Sequence, residues 1–201
     1  MGLFDLLFGC GRGQSVKQLE DKVWLTPQAR DAGMMRQLSQ ISRSAAVLLV
    51  GHFPDTLATL QAVADSCDGT VPLRVVLAND LSDDAARQLS ISSDAVVDLL
   101  VGERHPLLSR DQAITRFAEQ LGCQARVSYH VTLKDPLLQK FAGDWVEALL
   151  QRLGLQEDDA IQSAMISRRI QAAQKMIEER VPTDHDAASA AEWFARNLGE
   201  P

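Results

Sequence analysis

Cysteine is scarce in this chain. Cys10, Cys67 and Cys123 are the only three in 201 residues, they lie far apart, and no Cys-x-x-Cys pair occurs. That excludes a zinc cage built on cysteine pairs and a disulfide scaffold. No apolar run approaches the ~20 residues that a membrane-spanning helix needs. An excess of basic residues is absent too: 20 Lys and Arg stand against 27 Asp and Glu, a formal charge of −7. An acidic chain without a basic stripe excludes nucleic acid as the main partner. The first residues lack the positive head and long apolar centre of a secretory signal. Leu6 stands where an N-myristoylation pattern needs Ser or Thr. A cytoplasmic protein is the resulting expectation.

Hydrophobic residues make up 46% and charged residues 23%, enough apolar material for one ordinary core. Residues 1–14 read as a tail. Leu3, Phe4, Leu6, Leu7 and Phe8 form a short apolar patch that suits contact with a membrane surface or a partner, or docking back on the domain. Gly9, Gly11 and Gly13 follow as a linker; no Gly-Lys-Ser/Thr makes them a phosphate loop.

From 15 to 134 strands alternate with helices. Thr26-Pro27 predicts an N-cap and first turn of a helix to about Gln40. Ala45–Phe53 is a short, nearly continuous apolar run of the kind buried on both faces of a parallel sheet, and Leu73–Ala78 and Ala95–Gly102 read as the second and third strands. Between them, Pro54 opens a helix ended by Asp68-Gly69, and Asp80–Leu89 suits a weaker helix capped by Ser82. Asp111–Leu121 suits a helix stopped by Gly122. Val127–Leu133 alternates polar and apolar residues, as an edge strand does. The pattern predicts an α/β fold with a parallel sheet of four to five strands flanked by helices. Residues 135–201 predict a helical extension. Leu137, Leu138, Phe141, Val146, Leu149, Leu150 and Leu153 recur at helical spacing. Asp158–Arg180 suits a long helix with Ile161, Met165, Ile166, Ile170, Ala173 and Ile177 on one stripe, and Ala187–Leu198 a last helix carrying Trp193 and Phe194.

Residues able to carry chemistry are dispersed. His52, His105, His130 and His185 are scattered, and only Glu103-Arg104-His105 forms a cluster, at a strand end where α/β proteins place ligands. No nucleophile accompanies it, so a structural role is the preferred reading. Asp80, Asp83 and Asp84 suit a solvated, helix-capping loop rather than a cation site. Arg168, Arg169, Lys175 and Arg180 suit the polar side of an amphipathic helix. No metal site is expected.

Gly102-Glu-Arg-His105, Asp111, Thr132-Leu-Lys-Asp-Pro-Leu-Leu-Gln-Lys-Phe141, Leu153-Gly-Leu155, Asp159-Ala-Ile161, Ala172-Ala-Gln-Lys175 and Glu178-Glu-Arg180 together resemble SecA, the ATPase of bacterial protein export. The similarity runs without a gap from about Gly102 to Arg180. Fainter similarity covers Asp21–Thr26, Ala46–Gly51 and Val75–Asn79. The resemblance implies a RecA-like second nucleotide-binding domain running into the start of the helical scaffold. The family's phosphate loop, its acid pair and its Thr-Asn-Met-Ala-Gly-Arg-Gly-Thr-Asp motif have no counterpart here. Where the family has an arginine-rich segment, this chain has Thr115-Arg-Phe-Ala-Glu-Gln-Leu-Gly-Cys123, and Arg116 is one residue out of register. Phosphoryl transfer needs a phosphate cradle, a metal-holding acid and a charge-stabilising arginine, so the chain is expected to be a shortened, non-catalytic relative with neither ATP nor ADP as cofactor.

The resemblance leaves Gly102, Glu103, Arg104, His105, Asp111 and Arg116 as a vestigial nucleotide site. Met165, Ile166, Ile170, Ile177, Trp193 and Phe194 are the candidate contact face of the helical arm, for a translocase component, a full-length relative or a second copy. A nucleotide- or anion-binding regulatory domain, a sensor or a half-site completed by a partner, is the alternative.

Overall fold

The computed structural model describes residues 15–88, 91–141 and 159–199. The expected tail contact of residues 1–9 and the helix positions Val146 to Leu153 lie outside them.

Three apolar runs form parallel strands on one side of the sheet. They are β3 (Ala46–Gly51), β4 (Leu73–Leu77) and β5 (Val96–Val101), with β4 and β5 on either side of β3. The least buried of them, β4, lies at the edge of the sheet. Helix α1 (Pro27–Gln40) precedes β3, and Thr26 Oγ1 accepts from the Ala29 amide at 3.1 Å as its cap. Helix α2 (Pro54–Asp65) links β3 to β4, and α3 (Asp83–Gln88) links β4 to β5 with Ser82 Oγ accepting from the Ala85 amide. After α4 (Leu108–Gln120), Gly122 at φ 70° turns the chain into β6 (Gln124–Thr132), which pairs parallel with β5.

Strand β6 is central, not at an edge. Its outer side is covered in tandem by β1 (Ser15–Gln18) and then β2 (Lys22–Trp24), both parallel to it. The polar half of its alternation faces α1 instead of water: Ser128, His130 and Thr132 are buried. Short β1 and β2 carry too little hydrophobic pattern to stand out in sequence. The sheet therefore has seven strands.

The segment after Thr132 closes the carboxyl end of the sheet. It comprises α5 (Pro136–Phe141), β7 (Ile161–Gln162), α6 (Ala164–Glu178) and α7 (Ala190–Leu198). The long helix starts at Ala164 rather than Asp158, because Ile161 pairs antiparallel with Val23 on the open edge of β2. A backbone edge that needs partners outweighs the local helical period here. Ser189 caps α7 by accepting from the Glu192 amide, while the Glu192 carboxylate accepts from the Ala188 amide at 2.6 Å; the two bonds act as a capping box.

Three cores result. Met34, Leu38, Leu49, Leu60 and Leu100 pack between the sheet and α1–α2; Ile114, Phe117, Val127 and Tyr129 pack on the opposite face under α4. The third joins Val23, Phe53, Val131 and Leu133 to Leu138, Ile166, Ile170, Ile177, Trp193 and Phe194. The boundary expected at residue 134 thus does not separate two cores.

Trp24 lies against α1 at Gly33, where a Cβ would sit 2.0 Å from the indole. Gly33→Ala is expected to destabilise the fold by about 1–3 kcal/mol through overpacking, read from urea unfolding. Trp24→Phe in the same chain should recover part of the loss; no recovery would place the strain elsewhere.

Candidate functional site

Where β3 and β5 end, the chain reverses direction across the sheet. The resulting crevice at the strand carboxyl ends is where open α/β sheets hold ligands. In this chain side chains fill it. Gly102 lies tight on α2, with its Cβ position 3.1 Å from both Leu60 and Thr56 side chains. Glu103 reaches across to the amino end of α2, and its Oε1 accepts from the His52 amide at 3.0 Å and the Phe53 amide at 3.2 Å. Phe53 offers no side-chain cap of its own. The carboxylate of Glu103 therefore occupies the seat that a helix amino terminus offers an anion.

Arg104 turns to the other face. It donates to Asp21 Oδ1 through Nε at 3.1 Å and Nη2 at 2.5 Å, and to Asp111 Oδ2 through Nη1 at 2.9 Å. Its guanidinium lies 3.5 Å over the Tyr129 ring. Asp111 also accepts from the His105 amide at 3.2 Å and from Gln174 Nε2 at 2.6 Å. His52 Nε2 stands 2.7 Å from Asp111 Oδ1, close in distance though outside hydrogen-bond geometry. Gln174 Nε2 donates as well to the His105 carbonyl at 2.7 Å, so one amide fastens α6 to the start of α4. Every member of this network is buried.

His105 is enclosed by Phe53, His52 and Trp193, with ring centroids 5.2, 5.2 and 5.5 Å away. Its Nδ1 accepts from the Leu107 amide at 3.0 Å, which fixes the ring as neutral with hydrogen on Nε2. Burial, then the neighbouring His52, lowers its pKa to about 3. Burial pushes Glu103 up to about 7 against the pull of His52. Burial also acts to raise Asp111, but Arg104, His52 and Gln174 hold it at about 2. Arg104 is desolvated too, and the charges of Asp111 and Asp21 keep it protonated.

Of the six residues expected as a vestigial nucleotide site, five meet in this network. Arg116 does not: it is exposed on α4, turned away because Asp111, Ile114 and Phe117 set that helix's buried face. Beside the network, Arg110 pairs with Asp184 at 2.5 Å, and Asp184 accepts from Trp193 Nε1 at 2.7 Å, in a cleft of about 150 Å³. The helical-arm face needs correction. Ile166, Ile170, Ile177, Trp193 and Phe194 are core residues of this chain, and only Met165 of that set is exposed. Their apolar stripe is spent on the sheet's carboxyl end, so they offer no surface to a partner.

Sequence reading missed Asp21, His52, Tyr129 and Gln174 as members. Gln174 left a signal: it falls on the stripe of Ile166, Ile170 and Ile177, where a polar residue needs a buried partner. Asp21 lies in a stretch whose two short strands were not recognised. Among the described residues no group of His, Cys, Asp or Glu is arranged to hold a metal, and no helix is long and apolar enough to cross a membrane.

No protein-family model matches the chain. Part of it is similar to bacterial protein translocase subunits SecA. It is 37% identical over 78 residues to protein translocase subunit SecA 1 of Rhodopirellula baltica, a match covering 39% of this chain and 6% of the relative. Against protein translocase subunit SecA of Koribacter versatilis it is 40% identical over 80 residues, or 40% of this chain and 8% of the relative. The Acinetobacter baumannii subunit gives 35% over 82 residues, 41% and 9%. The chain thus spans less than a tenth of the length of these relatives. This partial likeness and the mostly parallel sheet agree in marking a SecA-related region within a RecA-like α/β fold.

Two predictions follow from the buried charges. Arg104→Met leaves Asp21 and Asp111 facing each other without a counter-ion, and should cost about 3–5 kcal/mol in urea unfolding. Arg104→Lys should recover little, since one ammonium cannot replace the planar fork that bridges two carboxylates over a ring. A loss below about 1 kcal/mol would show that the network does not hold the crevice.

The second concerns acid. His105 and His130 both have pKa values of about 3 when folded and about 6.5 unfolded. Between pH 6.5 and 4.5 the unfolded chain takes up two protons at these sites that the folded chain refuses, which destabilises the fold as pH falls. Glu103 acts the other way: with a folded pKa of about 7 against 4.5, it binds its proton in the folded chain first. Its contribution is present below pH 4.5 and lost as pH rises through 7. Over these three groups the net is one proton, a fall of about 1.4 kcal/mol per pH unit through this window. The raised carboxyl pKa of buried Asp135 opposes that fall in the same sense as Glu103. Glu103→Gln should steepen the slope to about 2.7, and His130→Gln should flatten it. Equal slopes for the parent chain and Glu103→Gln would refute the assignment.

Proposed function

We propose that this chain is a non-catalytic binding module related to bacterial protein export, acting by contact with a translocase component, a full-length SecA relative or a second copy. The observation that carries the reading is Glu103 on the amino end of α2. The helix terminus at the switch point of the sheet is engaged by the protein's own carboxylate, and Arg104 is committed to two buried aspartates. A triphosphate entering there would have to displace the Glu103 carboxyl group from two backbone amides, and the nearest arginine would have to abandon two charged partners, at a cost of several kcal/mol. The partial likeness to SecA supplies the process. It does not supply the chemistry, because function follows the site rather than the fold. A cytoplasmic location, with peripheral contact at the inner membrane, belongs to the same proposal.

The test has two arms. The purified chain should release no phosphate from ATP above the rate without protein, and ATP or ADP should leave its melting temperature unchanged. A nucleotide at 100 times its dissociation constant would add about 2.7 kcal/mol of apparent stability, so binding would be visible. In cells, photo-cross-linkers at exposed Met165 and Met176 should capture a translocase subunit, a full-length relative or the chain itself. Steady phosphate release, or cross-links to none of these three, would overturn the proposal.

A further inference from the structure

The side of β5 and β6 that faces α1 divides in two. Leu100 joins the apolar core below α1 and α2. Asp98, Arg126, Ser128 and His130 put polar groups on the same side. Toward the amino ends of the strands, away from the crevice described above, this polar stripe opens into a cleft of about 380 Å³. Lys22, Gln37, Arg43, Asp98 and Arg126 supply its polar lining, with Leu19 and Ile41 as apolar wall.

Charge in the cleft is unbalanced. Asp98 is its one carboxylate, and that group is saturated: Arg126 donates to Oδ1 through Nε at 2.7 Å and to Oδ2 through Nη2 at 2.6 Å, and the Ser44 hydroxyl donates to Oδ2 as well. Among the described residues Lys22 has no carboxylate partner. Its Nζ donates to a neutral amide oxygen, Gln37 Oε1, at 2.5 Å, and that oxygen is shared with His130 Nε2 at 3.1 Å. Half-burial lowers the pKa of the ammonium. Arg43, on the turn between α1 and β3, is exposed at the rim. A chain with a net charge of −7 thus concentrates three cations around one neutralised carboxylate, in a concave site. A partly desolvated ammonium held only by an amide is stabilised when an anion reaches it.

We infer that this cleft binds a small multivalent oxyanion, with phosphate or a polycarboxylate as the ligand chemistry. Lys22 supplies the inner charge and Arg43 the outer one. Gln37 orients the ammonium, and Arg126 lines the same cleft while donating to Asp98 and, through Nη2, to Ser44 Oγ at 3.1 Å. The site stands apart from the strand-end crevice and does not depend on the export reading. A chain that cross-links to a translocase subunit but ignores oxyanions would keep that reading and lose this one.

The experiment is a thermal melt of the full chain in inorganic phosphate, sulfate or citrate against chloride at constant ionic strength, with amide NMR shifts recorded alongside. The expected result is a saturable rise of several degrees, with the largest amide changes at Gln37, Arg43 and Asp98. Phosphate and citrate together separate an inorganic from an organic source. Arg43→Ala, at an exposed position, should weaken binding at least tenfold without altering the melt in chloride, and Lys22→Met should abolish it. A rise that follows ionic strength alone, one that survives both variants, or amide changes centred on His52 and Glu103 would overturn the inference.

Discussion

A buried arginine held between two buried carboxylates is the constraint on which the rest of this structure depends. Arg104 joins Asp21, which precedes β2, to Asp111, on α4, while lying flat on Tyr129 of β6. Four parts of the chain meet at one guanidinium. Desolvating these charges is costly, and only their mutual attraction and a full set of hydrogen bonds offset it. Asp111 meets that requirement with donors from Arg104, Gln174 and the His105 amide. Through Gln174 the same carboxylate positions α6, and with it the apolar stripe that packs on Trp193 and Phe194. The carboxyl-terminal helices are therefore fastened to the sheet by charge and sealed by hydrophobic contact.

The consequence for the crevice is geometric. Two adjacent residues, Glu103 and Arg104, leave β5 in opposite directions, one toward the His52 and Phe53 amides just before α2 and the other toward the aspartates. With His105 enclosed by three rings, little of the strand-end surface remains to meet a solute. Polar groups nearby are also paired, as Arg110 with Asp184 shows. The neighbouring cleft of about 150 Å³ is small beside the 300–1,000 Å³ of usual ligand pockets.

How far the sequence revealed this depends on the kind of signal. The continuous apolar run of β3 was readable because burial on both faces leaves no alternation to misread, and β4 and β5 stood out as β-branched, leucine-rich runs although each carries one charged residue. Thr26-Pro27, Ser82 and Gly122 marked their turns through capping and backbone chemistry that acts within a few residues. Strand β6 misled because Ser128, His130 and Thr132 look solvent-facing until a polar helix face, with Gln37 and Arg30, is known to cover them. Strands β1, β2 and β7 exist through pairing with distant partners, and two to four residues carry no period. The cluster Glu103-Arg104-His105 was visible, and its structural role was the preferred reading. Its partners were not, since Asp21 and Gln174 are brought to it only by the fold.

The network also bears on what the likeness to SecA can mean. A residue in a mutually paired buried set is costly to replace alone, because each substitution leaves the others desolvated and unpaired. Gly102, Glu103, Arg104, His105 and Asp111 are such residues, as is Gln174. Their burial and mutual pairing serve the fold, whether or not a nucleotide is ever bound. Arg116 makes the contrast: exposed and outside this set, it is under no such constraint. The likeness to SecA of Koribacter versatilis covers 40% of this chain. Similarity there is evidence of shared architecture before it is evidence of shared catalysis.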